Sequence, residues 1–398
     1  MTTDKDPKFS PATIAVHGGE RPNEQPFGAV VSPVFHSATF AFRDFEDLRR
    51  YARGELSEQY FYSRYANPTV AECERKIADL EGAADCVVTS SGSAATFCAL
   101  VASCNEGDEI IASDSVYGGT IKILTKVLSR FGVQTRFISI DDLERLVQLK
   151  TDKSRLFWFE TPTNPLNRIV DLNRAAELSK QAGLLSIVDN TFATPILQRP
   201  LSQGIDAVMH SATKYLGGHS DLTAGAIVGS SEFIERVRQV SVAIGTTLDP
   251  AAAYLLARGI RTLDLRVRAA CDNALKLAQV LTTHPKVARV YYPGLEEDPS
   301  HKIAKQQMEA FGGTLAVDLV GGERAAETLF NAVKLVRTAP SLGGVETLIS
   351  YPIYSSHAGF TPDQLQAAGV SENTVRIALG IEAADDIISD ITQALDKI

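Results

Sequence analysis

Residues 184–214 read Leu-Leu-Ser-Ile-Val-Asp-Asn-Thr-Phe-Ala-Thr-Pro-Ile-Leu-Gln-Arg-Pro-Leu-Ser-Gln-Gly-Ile-Asp-Ala-Val-Met-His-Ser-Ala-Thr-Lys. Residues 184–188 and 207–209 are short, uninterrupted apolar runs. Runs of that length, bounded by turn residues, belong to strands covered on both faces. Pro195, Pro200 and Gly204 punctuate the connection between them. Asp189 ends the first run, and Lys214 follows the second by a few residues. If the two strands are parallel, both side chains lie at the carboxyl edge of one sheet, where ligands of open α/β sheets collect.

The same alternation continues on either side. Residues 86–89, 109–112, 133–138, 156–159 and 226–228 are expected strands. Between them Val70, Cys73, Ile77 and Leu80 recur at helical spacing before Gly82, and 93–104 reads as a helix. Ile121, Leu124, Val127, Leu128 and Phe131 fall on one helical face, residues 141–144 resemble a capping box, and a further helix is expected over 171–182. Strand and helix in alternation predict an α/β fold with a largely parallel sheet covered on both sides. Beyond residue 260 the texture changes to a long helix at 262–283, strands at 287–291 and 314–319, and a closing helix at 384–397, a mixed α+β piece. Residues 1–65, with Pro7, Pro11, Pro22, Pro26 and Pro33, lack periodicity and read as an arm lying on another subunit. The expected division is an arm at 1–65, a large domain at 66–260 and a small domain at 261–398.

Composition narrows the function. The chain has 398 residues, 44% hydrophobic and 22% charged, which is ordinary for a globular enzyme. Its net charge of −9 disfavours a phosphate-backbone binder. No apolar run reaches the roughly 20 residues of a membrane helix. The five cysteines show no C-x-x-C spacing and the seven histidines no metal motif, so buried thiols of a reducing cytoplasm are expected, and no metal.

Asp189 and Lys214 together suit pyridoxal phosphate chemistry. A lysine condenses with the aldehyde, and a carboxylate keeps the ring nitrogen protonated so that the ring accepts electrons. Taken alone, Lys214 reads equally as a surface lysine and Asp189 as a turn residue. Thr89-Ser-Ser-Gly-Ser-Ala94 turns a strand directly into a helix, so Gly92 and Ser93 offer N–H groups to a phosphate, or simply cap a helix. Ser211 and Thr213 add hydroxyls, and Arg64 a forked charge. Tyr117 could lie flat on a cofactor ring or be an ordinary half-buried tyrosine. Arg376, inside an apolar run, needs a partner, either a substrate carboxylate or a structural acid. His210, next to Ser211, reads as a core histidine.

These residues sit in a longer pattern. Ala15-Val-His-Gly-Gly19, Tyr62-Ser-Arg-Tyr-Ala-Asn-Pro-Thr69, Ser91-Gly92, Tyr117-Gly-Gly-Thr120, Glu160-Thr-Pro-Thr-Asn-Pro165, Val188-Asp-Asn190, Ser211-Ala-Thr-Lys-Tyr215, Arg258-Gly-Ile-Arg-Thr-Leu263, Tyr292-Pro-Gly-Leu295, Ser341-Leu-Gly-Gly344 and Val375-Arg376 occur in order from end to end. The chain resembles the pyridoxal-phosphate-dependent enzymes of cysteine and methionine metabolism, which include cystathionine γ-lyase, cystathionine γ-synthase, cystathionine β-lyase, methionine γ-lyase and homoserine-ester sulfhydrylases. The resemblance implies fold type I, the aspartate-aminotransferase fold, in a cytoplasmic homotetramer of two dimers. It implies Lys214 as Schiff-base lysine, Asp189 as partner of the ring nitrogen, and Tyr117 as stacking residue and proton-transfer aid. Gly92, Ser93, Ser211 and Thr213 would hold the phosphate, with Tyr62 and Arg64 reaching the neighbouring subunit's phosphate. Asn164 would sit near the ring hydroxyl, and Ser341 and Arg376 would hold the substrate carboxylate. The implied reaction is γ-elimination on a sulfur amino acid such as cystathionine or methionine. Its alternatives are γ-replacement on an acyl-homoserine and β-elimination of cystathionine. Departures cluster around the substrate: Gly119 where methionine γ-lyases usually carry Cys, Pro340 where cystathionine enzymes usually carry Glu, Leu342 where β-lyases tend to carry Trp, and Ile244-Gly-Thr-Thr-Leu248.

Overall fold

The computed structural model describes residues 9–21, 25–56 and 59–398. Residues 1–8, 22–24 and 57–58 of the expected arm, with Pro7 and Pro22, lie outside the described residues. Seven strands form the larger sheet: β1 (Asp85–Thr89), β2 (Glu109–Ser113), β3 (Gln134–Ile138), β4 (Ser154–Glu160), β5 (Leu185–Asp189), β6 (Ala207–His210) and β7 (Gly225–Gly229). Their spatial order is β1-β7-β6-β5-β4-β2-β3. Only β7 runs against its neighbours. Side chains alternate between two apolar layers. Phe157, Phe159, Val188 and Val208 join one, while Leu156, Trp158, Ile187, Ala207 and Met209 join the other. A sheet covered on both faces leaves little room for polar residues except at strand ends, and each large side chain so buried stabilises the fold by about 1.5–3 kcal/mol.

Register then fixes the site. Glu160 pairs with Asp189, and Asp189 with Met209, so three parallel strands end side by side. Local chemistry holds the flanking helices. Asn67 Oδ1 accepts the Thr69 N–H at 3.0 Å to open helix Pro68–Glu81, and Gly82 closes it at φ 69°. Asp171 opens helix Leu172–Ala182 in the same way.

Two expectations need correction. The segment expected as one helix through Phe131 is three short pieces: an α-turn at Gly118–Lys122, a π-helical turn at Ile123–Val127 and a 3-10 turn at Leu128–Phe131. The wider middle turn resets the angular spacing, so Leu124 and Leu128 stay buried while Val127 and Phe131 turn outward. The capping box at 141–144 is absent. Ser139 caps a 3-10 helix, Ile140–Arg145, instead. Arg168 engages Asp141, and Arg145 engages Asp142, drawing both acids away from the role of cap.

The smaller sheet contains β8 (Val287–Tyr291), β9 (Thr314–Leu319), β10 (Arg337–Thr338), β11 (Leu348–Ser350) and β12 (Thr374–Ala378), in the order β10-β11-β12-β9-β8. It packs against the helices Leu263–Leu281, Gly322–Ala332 and Ala384–Leu395. Among the described residues no helix is long and apolar enough to cross a membrane.

One buried cation ties the arm to the large sheet's helices. Lys76 donates to Val16 O at 2.9 Å, Ala15 O at 3.4 Å and Glu20 Oε1 at 3.5 Å, so it caps the arm helix Pro11–His17 from below. Burial lowers its proton affinity, and Glu20 acts against that. Lys76→Ala is expected to cost about 2–3 kcal/mol of unfolding free energy, because two helix-terminal carbonyls and Glu20 lose their shared donor. Equilibrium denaturation measures it.

Candidate active site

A cleft of about 480 Å³ opens where β4, β5 and β6 end, and the segment 340–342, the turn 354–356 and Arg376 close it from the other side. One wall is the start of helix Gly92–Ser103. Ser91 Oγ accepts the Ala94 N–H at 3.2 Å, which leaves the Gly92 and Ser93 N–H groups without an intrahelical acceptor. A Cβ on Gly92 would lie 2.9 Å from the Ser211 side chain, so only glycine lets these two segments meet. Ser211 N donates to Thr191 Oγ1 at 2.8 Å, and the Thr213 hydroxyl exchanges hydrogen bonds with the Ala224 backbone. Gly92, Ser93, Ser211 and Thr213 all line the cleft.

Lys214 lines the same cleft, and its Nζ donates to Ser341 Oγ at 2.8 Å. Burial lowers its pKa from 10.5 to about 8, and the Arg376 charge pushes the same way. Ser341 reaches it because Gly343 adopts φ 76° against the Tyr215 backbone, where a Cβ would come within 2.5 Å of Tyr215 N.

Asp189 is buried, and one of its oxygens accepts from Thr191 N at 3.0 Å and Thr191 Oγ1 at 2.5 Å. Its other oxygen has no donor among the described residues. Burial raises its proton affinity, while Thr191 opposes that. Glu160, which the sequence reading left without a role, stands beside it on β4. It accepts Tyr117 N–H at 2.8 Å on one oxygen and Asn164 N–H at 3.1 Å on the other. Burial first, and Asp189 second, push its pKa well above the carboxylate range. The visible signal in the sequence was an acid closing an otherwise apolar strand.

Arg376 is buried on β12. It donates to Asn164 Oδ1 at 2.9 Å and Ser341 O at 3.0 Å, and its Nε is buried without an acceptor. Burial lowers its pKa to about 10. Both of its protein partners are neutral oxygens, so the structural-acid reading of this arginine does not hold. Tyr117 lines the cleft half exposed, its ring over Gly119, where a Cβ would lie 2.3 Å from Cε1.

Tyr62 and Arg64 are not brought to this cleft within one chain. Arg64 donates to Val242 O at 2.8 Å and lies 4.6 Å from the Tyr65 ring centroid. His210 is a core residue, with Nε2 2.6 Å from Glu81 Oε1. The departing stretch 244–248 braces the helix-start loop: Thr246 O accepts Ser90 N–H at 2.9 Å, and Thr247 bridges Thr89. Pro340 and Leu342 line the cleft beside Ser341.

Pyridoxal phosphate fits these residues on their own chemistry. The glycine-only helix start suits a phosphate, the unshared Asp189 oxygen suits a protonated ring nitrogen, and the amine of low proton affinity suits an aldehyde. That combination on one sheet edge defines a class, the pyridoxal-phosphate-dependent enzymes of α/β architecture. The chain belongs to the Cys/Met metabolism PLP-dependent enzyme family, whose model matches residues 12–396. It is 41% identical over 396 residues to an L-methionine gamma-lyase of Treponema denticola, covering 98% of each chain. It is 42% identical over 386 residues to a cystathionine gamma-synthase of Mycobacterium bovis, covering 97% of this chain and 96% of the relative. The solved cystathionine gamma-lyase of Lactobacillus plantarum complexed with L-serine superposes with TM-score 0.91 at 35% identity, covering 98% of this chain and 99% of that one. The fold is therefore type I, and the enzyme is pyridoxal-phosphate-dependent.

The lowered proton affinity of Lys214 has a kinetic consequence. Only the neutral amine attacks an aldehyde, so capture of pyridoxal phosphate by cofactor-free protein should accelerate with rising pH and level off above about 8, not 10.5. Stopped-flow absorbance across that range tests it.

Proposed function

We propose that the chain catalyses γ-elimination on a sulfur amino acid, cystathionine or methionine. The Cγ–S bond breaks, the sulfur leaves as a protonated thiol, and water enters to give a 2-oxo acid and ammonia. The observation that carries this reading is the meeting of a lowered-affinity lysine, a half-exposed tyrosine and an arginine with one unpaired N–H in a single cleft. When bound, pyridoxal phosphate supplies an electron sink for the negative charge that develops at the substrate's Cα.

The chain's own residues do the rest. Gly92, Ser93, Ser211 and Thr213 would hold the phosphate, and Tyr62 and Arg64 would reach the phosphate bound by the neighbouring subunit. Asp189 would partner the ring nitrogen, Asn164 would serve the ring hydroxyl, and Tyr117 would supply the stacking face. Arg376 takes the substrate carboxylate through its guanidinium, with Ser341 and Asn164 fixing the group's orientation. Lys214, parked on Ser341 Oγ, accepts the α-proton and returns it further along the substrate, and Tyr117 assists that transfer.

γ-Replacement on an acyl-homoserine is the second reading. The prolyl ring of Pro340 and the apolar Leu342 offer no charged partner for the distal amino group of cystathionine. The assembly is proposed as a cytoplasmic homotetramer, a dimer of dimers sharing sites across each dimer. Fully exposed Phe27 and Val30 and largely exposed Phe45 leave the arm with apolar surface to cover, and the five cysteines are free.

Cystathionine, methionine and acyl-homoserines, each with and without added thiol, sort the reactions. The expected result is 2-oxo acid release from a γ-substituted thioether, and no turnover of any γ-substituted amino acid overturns the proposal. Lys214→Ala should keep the fold but lose turnover by roughly 10³-fold or more, with loss of the visible absorption band. Mixing Arg64→Ala with Lys214→Ala subunits should recover about a quarter of wild-type activity, since half the random dimers contain one intact shared site. No recovery would place both residues in the same subunit's site or in none.

A further inference from the structure

We infer that Glu160 is a positioning residue that holds the stacking tyrosine and the carboxylate-binding arginine in register with each other. The inference rests on the reading of Tyr117 and Arg376 given above and extends it to a residue that contacts neither substrate nor cofactor in that reading. The geometry is a relay of hydrogen bonds. Glu160 accepts the backbone N–H of Tyr117 at 2.8 Å and that of Asn164 at 3.1 Å. Asn164 Oδ1 accepts from Arg376 at 2.9 Å, Arg376 donates to Ser341 O at 3.0 Å, and Ser341 Oγ accepts from Lys214 at 2.8 Å. One carboxylate thus stands between the loop that carries the ring and the loop that carries the arginine's anchor.

The residue type is demanded by the donors. Two N–H groups converge on a side chain that is 3% exposed, where water cannot serve either of them. Among side chains of this length only a carboxylate offers two acceptor oxygens. Glutamine presents an acceptor to one N–H and an NH₂ group to the other, so it satisfies one loop and repels the second. Aspartate keeps both acceptors on a shorter stem.

The site tolerates such an acid at a cost. Asp189 faces it from β5, Arg376 faces it from β12, and Tyr117 and Asn164 approach from the two loops. Desolvation and the neighbouring carboxylate disfavour its charge, while the two N–H bonds and Arg376 favour it. An acid held against that opposition serves geometry at the site, since an apolar residue at this position would stabilise the core more simply.

The test uses the full-length enzyme loaded with pyridoxal phosphate and compares Glu160→Gln with Glu160→Asp. Far-ultraviolet circular dichroism and thermal melting establish that each variant is folded. Glu160→Gln should reduce the circular dichroism of the bound cofactor's visible band and raise KM by about tenfold, with a further fall in kcat, because a misplacement of an ångström or less is costly to a positioned reaction. Glu160→Asp should restore part of both. In a double-mutant cycle, Glu160→Gln with Tyr117→Ala and with Asn164→Ala should be non-additive, as residues of one network are. Wild-type cofactor dichroism and KM in a folded Glu160→Gln enzyme, or full additivity in both cycles, overturns the inference. Tyr117→Ala and Arg376→Lys serve as controls. If they leave dichroism and KM untouched, the reading of those two residues fails. If they respond and Glu160→Gln does not, Glu160 alone loses its assignment.

Discussion

A guanidinium buried between two sheets is the constraint around which this cleft is arranged. Arg376 belongs to β12 of the small sheet, yet its hydrogen bonds run to Asn164, which follows β4 of the large one, and to the 341 carbonyl. Burying such a cation is costly unless its donors are met, and one N–H is left unmet. The fold therefore carries, at the join of its two sheets, a site that an anionic group would complete. Burial first, and this same charge second, lower the proton affinity of Lys214, so the group suited to a carboxylate also weakens the lysine's hold on its proton. Binding and base strength are linked through one side chain.

Much of this was legible in the chain because the large sheet is covered on both faces. Coverage makes the inner strands mostly apolar runs, unlike the exposed edge strand β3, and the few polar residues at the ends of those runs stand out. Asp189, Ser211, Thr213 and Lys214 were found that way, and the structure brings all of them to one cleft. The glycine-serine start of helix Gly92–Ser103 was legible for a different reason. Small residues directly after a buried strand signal a close approach of backbones, and Gly92 indeed has no room for a Cβ beside Ser211.

What escaped the sequence was set by distant pairings or by local geometry below its resolving power. Ser341 is 127 positions from Lys214, and no periodicity joins them. Strands β10 and β11 span two and three residues, too short to alternate. The segment through Phe131 carries a helical pattern, but a π-helical turn inside it rotates the later residues outward. Glu160 escaped for the opposite reason. It was in plain view at a strand end, but its importance lies in two backbone N–H groups that belong to other segments. The contacts that organise a site are often made to the main chain, and the main chain has no signature in a sequence.

The two halves of the cleft are built from separable parts of the chain. The groups suited to a phosphate and a ring come from loops at the large sheet's edge, and glycine contacts that admit no substitution hold them. Three further residues of the lining, Pro340, Leu342 and Tyr354, come from the segment before β11 and from the turn after it. Ser341 connects this segment with the lysine through its hydroxyl, and with Arg376 through its carbonyl. A change at Pro340 or Tyr354 therefore alters the walls of the cleft without moving the cradle. The stretch 244–248 is different, since it braces Thr89 and Ser90 from outside and so bears on the cradle itself.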